Sequence, residues 1–152
     1  MHGIRWQRGG GGVRVGLSEQ ERELVRQLCA RLALEVESGV GEDDGLERLF
    51  PSAYPDDADA AVDFSQLVRP GLVDGKVAAL RQVEATAGED RLGVDDAQAW
   101  LTALNDLRLV LGTRIGVTED PDEHDFAHPG YAVYAWLTWL QSELVEALAA
   151  GL

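Results

Sequence analysis

Asn105, Asp106 and Arg108 stand almost side by side in "ALNDLRLVLGTR", a segment otherwise dominated by leucine. A carboxylate, an amide and a guanidinium among apolar residues can form a polar binding site or a structural ion pair. A buried charge needs a partner. Arg48, Arg108 and Arg114 are the arginines close to apolar segments, so the expectation is an ion pair between Asp106 and one of them. A binding site around the same residues is the sharper alternative. Catalysis is not expected, because no nucleophile stands beside a base.

Cys29 is the chain's one cysteine. It excludes an internal disulfide and a cysteine-only zinc site. Val25 and Ala33 lie one helical turn to either side, which places the thiol on an apolar stripe. A thiol there packs rather than reacts, and a redox role is the alternative. Asp120, Asp122, Glu123 and Asp125 sit with His124 and His128 in "TEDPDEHDFAH". A calcium loop beginning at Asp120 would need glycine where Asp125 stands and glutamate where Tyr131 stands. The run therefore reads as a solvated acidic loop, with no metal and no cofactor, and as a candidate surface for a basic partner. In "YAVYAWLTWLQ", Trp139 falls at the edge of the apolar stripe and is the residue assigned first to an interface.

"WQRGGGGVRV" is the stretch that most resembles a phosphate loop. A Walker loop needs Lys-Ser/Thr after its last glycine, and Val13 and Arg14 stand there. No second parallel strand supports a dinucleotide fold. Ile4 and Trp6 alternate with Arg5 and Gln7, and Val13, Val15 and Leu17 alternate with Arg14 and Gly16. Two runs of strand period around glycines predict a β-hairpin.

Helices must position everything else. Ser18 and Glu21 form a capping box, ahead of a stripe of Leu24, Leu28, Leu32 and Val36. A short helix carries Leu46, Leu49 and Phe50. Asp57 caps a helix through Leu67, and Pro70 suits the first turn of the next, which carries Val73, Val77, Leu80 and Val83. "TAGEDRLGV" reads as a loop. Asp95 is expected to cap a helix ending near Ile115, with Gly116 as its stop. Pro129 opens the last helix.

The chain of 152 residues has a net charge of −14, from 27 acidic and 13 basic residues. Arg5, Arg8 and Arg14 make residues 1–17 basic, and the remainder carries −17. That balance argues against nucleic acid as a general partner and suits a protein partner with a basic surface. The N-terminus lacks the apolar run of a signal peptide's core, and no apolar run approaches the length of a membrane span, so a cytoplasmic location is expected.

"LERLFPSAYPDD", "ALNDLRLVLGTRIGVTEDPD" and "YAVYAWLTWLQ", preceded by W-x-R-G-G-G, occur in one order. Together they resemble an actinobacterial domain-of-unknown-function family, numbered twenty-seventeen, over most of the chain. The resemblance implies a small cytoplasmic helical protein, encoded commonly beside the Clp protease adaptor. It also implies a link to oxidative-stress transcription through two cysteines four residues apart on the first helix. Cys29 matches one of them; Ala33 and Val25 stand at the possible partner positions, so that pair is not available here.

The expected fold is mainly α: one domain over residues 1–152, with a hairpin arm at 1–17 and a bundle of five to six helices at 18–152. The expected function is a non-enzymatic regulatory, protein-interaction module with an acidic surface, acting on transcription or Clp-linked proteolysis. A homodimer is compatible with the sequence. A DNA-associated regulator of the oxidative-stress response, reading through the Arg5, Arg8 and Arg14 hairpin, is the alternative. An enzyme with a polar site around Asp106 is the third reading.

Overall fold

The structure, a computed structural model, describes residues 3–7, 11–38, 44–50, 57–117 and 127–151. The glycine run belongs to a hairpin. Strand β1 (Gly3–Gln7) pairs antiparallel with β2 (Gly12–Gly16), in register from Gly3 opposite Gly16 to Gln7 opposite Gly12. Gly11 takes a φ of 64°, which a side chain disfavours. Gly12 is needed for a different reason: a Cβ there would stand 2.2 Å from the Leu92 carbonyl oxygen. That close approach admits a third strand, β3 (Arg91–Gly93), antiparallel to β2. The expected loop at "TAGEDRLGV" thus holds a strand too short to show a period. Ile4, Val13, Val15 and Leu92 form the buried face of the sheet.

Helix α1 (Glu19–Ser38) opens on the predicted capping box. The Ser18 amide donates to Glu21 Oε1 at 2.8 Å and the Glu21 amide donates to Ser18 Oγ at 3.1 Å. A four-residue helix, α2 (Asp44–Glu47), follows. Helix α3 runs from Ala58 to Thr86, with Asp57 as its N-cap accepting from the Ala60 amide at 3.1 Å. Pro70 lies inside this helix rather than opening a new one. Pro70, Gly71 and Leu72 are exposed, and the helix continues through the proline. Two expected helices are therefore one. The described residues hold four long helices and the short α2, and the expected five to six are not matched.

Helix α4 (Val94–Arg114) starts directly from β3, with Gly93 as an N-cap that has no side chain to cap with. The expected cap, Asp95, lies inside its first turn. Gly116, at φ 78°, ends the helix; its amide donates to the Thr113 carbonyl and the Val117 amide to the Gly112 carbonyl, a Schellman arrangement. Helix α5 (Pro129–Ala150) has Pro129 in its first turn. His128, weighed as a metal ligand, caps it instead: Nδ1 accepts from the Gly130 amide at 2.9 Å.

The core gathers α1 on α3, α4 between α3 and α5, and α5 across β1. Trp100 is completely buried, and its Nε1 donates to Thr86 Oγ1 at 2.8 Å. Truncating a residue so placed costs about 3–5 kcal/mol. Among the described residues no helix is long and apolar enough to cross a membrane.

Candidate functional site

Helix α4 carries the polar residues singled out from the sequence, and it distributes them. Asp106 faces α3 and Arg108 faces α5, so the two do not share a site. Asp106 is only 2% exposed. Lys76, the chain's one lysine, reaches it from α3, and Nζ donates to both carboxylate oxygens at 3.2 Å. Burial raises the Asp106 carboxyl above its ordinary value; the Lys76 charge and hydrogen bond, with a hydrogen bond from Asn105, oppose that without cancelling it. The expected ion pair is present, but its cation is none of Arg48, Arg108 and Arg114. Arg48 is exposed. Arg114 Nη2 donates to Glu35 Oε2 of α1 at 2.9 Å. With both oxygens engaged and almost no exposure, Asp106 offers no proton to a substrate in solution.

Arg108 ties α4 to α5 through neutral acceptors. Nε donates to Thr138 Oγ1 at 2.9 Å, Nη1 to Gln141 Oε1 at 2.8 Å and Nη2 to the Tyr134 hydroxyl at 3.3 Å. The guanidinium also lies 5.3 Å from the Tyr134 ring centroid. Gly112 makes room for that ring, since a Cβ there would stand 2.9 Å from Tyr134 Cε2. This seam fixes the two helices in register.

Cys29 is fully buried, and burial, with Glu84 adding to it, pushes its thiol up to about 12. At neutral pH the nucleophilic thiolate is then essentially absent. Val25 and Ala33 are also fully buried beside it.

Arg22 is the charged residue that sequence reasoning missed. It is 5% exposed. Nε donates to the Leu17 carbonyl, Nη1 to those of Ala87 and Glu89, and Nη2 to that of Val15 and to Asp90 Oδ1, at 2.6–3.1 Å. One guanidinium thereby joins β2, the start of α1 and the turn between α3 and β3. A signal was there to read: the buried stripe Val25, Cys29, Leu32 and Val36, continued back by one step of three, lands on Arg22. Lys76 carried no comparable signal.

Trp139 is 39% exposed, consistent with its place at the edge of the α5 stripe. Asp120, Asp122, Glu123, Asp125 and His124 lie outside the described residues. Among the described residues no group of three or more metal-ligating side chains is gathered.

The profile of a family described as Domain of unknown function (DUF2017) matches residues 1–148. The chain is 38% identical over 127 residues to Oxidative stress regulator AosR of Mycobacterium tuberculosis, a match covering 70% of this chain and 58% of that protein. The Mycobacterium bovis protein of the same name matches equally. A Mycobacterium leprae protein named as a candidate AosR regulator is 39% identical over 130 residues, 72% of this chain and 60% of its own. The chain spans about three-fifths of the length of these curated relatives. No solved structure matches it.

Proposed function

We propose that this chain, which belongs to the DUF2017 family, is a non-enzymatic regulatory module that works by binding another protein. The observation that carries the reading is the regulator name shared by relatives 38–39% identical over 70–72% of the chain. The net charge of −14 supports a partner with a basic surface, met by Asp120, Asp122, Glu123 and Asp125 and by Trp139. A place in transcription control or in Clp-linked proteolysis, in the cytoplasm and as one folded domain, completes the proposal.

The oxidative-stress role of the relatives passes to this chain through contacts and not through a thiol switch of its own. Cys29 is buried with a strongly raised pKa, and its helical neighbours at one turn are Val25 and Ala33. Capture of partners by the immobilised chain from an actinobacterial lysate, at low and high salt, tests the reading. Transcription or Clp components that elute as salt rises support it. If none binds, or if capture survives neutralising Asp120, Asp122, Glu123 and Asp125 together, the acidic-surface reading fails.

A further inference from the structure

The outer face of the sheet carries an arginine at the same level of every strand. Arg5 occupies the register position opposite Arg14, and Arg14 the position opposite Arg91. Residues directly opposite in antiparallel pairs share a face. With strands about 4.8 Å apart, three such positions span roughly 10 Å.

Arg14 and Arg91 are exposed, and among the described residues neither side chain has a hydrogen-bond or ion-pair partner. Asp90, next to Arg91, is bonded to Arg22 instead. The other positions on this face of β2 and β3 are Gly12, Gly16 and Gly93, and the space where a Gly93 Cβ would stand is open. Folding gives no reason for the row, because like charges directly opposite disfavour strand pairing. Among the described residues no carboxylate neutralises the Arg14 and Arg91 guanidinium groups, and Gly93 beside them is exposed.

We propose that this arginine row is a docking surface for a short acidic segment of a protein partner. The exposed guanidinium groups of Arg14 and Arg91 each present a planar fork that a carboxylate fills with two parallel hydrogen bonds. The width of the row selects the class of anion. A compact acidic segment is narrow enough to lie on the row alone. A DNA duplex is far broader than the row and would press its phosphates toward a molecule whose residues beyond 17 carry −17. Three phosphate contacts would return little affinity for that repulsion. This surface has the opposite sign to the acidic run at residues 120–125, and the proposal does not depend on that run.

The test is fluorescence anisotropy with a labelled Asp-Glu peptide, a short DNA duplex and inorganic tripolyphosphate as separate probes at low salt. Arg14→Thr with Arg91→Thr is compared with a charge-matched control, Arg26→Gln with Arg31→Gln, whose arginines pair with Glu23 and Glu35 on α1. The expected result is peptide binding that weakens roughly tenfold or more in the threonine variant and is unchanged in the control. The threonine variant should melt no lower than the parent, since threonine suits a strand and a like-charge pair is gone. Four results would overturn the proposal: no peptide binding to the parent, equal loss in both variants, tighter binding of the duplex or tripolyphosphate than of the peptide, or a lowered melting temperature in the threonine variant.

Discussion

Arg22 and Asp106 are the two charged side chains taken almost wholly out of water among the described residues, and they are accommodated in opposite ways. Arg22 is surrounded by four backbone carbonyls and one carboxylate. Those carbonyls sit where two strands and two helices end, so each needs a donor from outside its own element. Asp106 lies mid-helix, where the backbone is already satisfied, and has one lysine as its counter-ion, with Asn105 beside it. The charge of Arg22 serves its surroundings; that of Asp106 is tolerated by them. The raised Asp106 carboxyl is the trace of that incomplete compensation.

The comparison breaks first at Arg22. Arg22→Met should destabilise the fold by about 3–5 kcal/mol, because it orphans several buried carbonyls at once. Urea unfolding measures this. A loss below about 1 kcal/mol would mean that water serves those carbonyls, and the contrast with Asp106 would vanish.

Lys76→Met should cost about 2–3 kcal/mol at neutral pH, by leaving a buried carboxylate unpaired. The loss should shrink on acidification as Asp106 takes up a proton and becomes neutral. Unfolding curves at neutral and mildly acidic pH separate this from simple loss of packing, which would cost the same at both.

Asp106→Asn is expected to change stability by only about 1 kcal/mol at neutral pH, since charge and desolvation leave together. Its signature is the pH dependence. A raised native carboxyl binds its proton more tightly folded than unfolded, so that contribution to stability is full below the ordinary carboxylate range. It is lost as pH rises through the raised value. The stability of the parent relative to Asp106→Asn should therefore fall with rising pH across that window. A difference that is flat, or rises, would show Asp106 to be well compensated after all.

Cys29 marks the mild end: a buried ionisable group that stays neutral. Cys29→Ala should cost about 1 kcal/mol, and a thiol reagent should label the native chain only as fast as it opens. Rapid labelling under native conditions would contradict a thiol pushed up to about 12.

Caps and stripes were legible because they are local. Ser18 with Glu21, Asp57, Gly116 and Pro129 all act within one turn of the chain, and they mark helix ends where the structure has them. Pro70 misled for the same reason: locally it reads as a helix start, and α3 runs through it. Asp95 misled because β3 feeds α4 directly. The candidate site was read in part. Asp106 was picked out by its leucine neighbours, but its cation was sought among arginines.

The sequence by itself determined which faces are apolar, where glycine must relieve the backbone, and that one thiol stands without a helical partner. These follow from periods of two and 3.6 residues and from single-residue sterics. Only the tertiary structure decided where charges find their counterparts. Lys76 and Asp106 are 30 residues apart, and Arg22 meets acceptors up to 68 residues away. Arg14 and Arg91 become neighbours only because a close backbone approach at Gly12 brings β3 against β2. Electrostatic partnership depends on distance through space, and no local pattern along the chain encodes it.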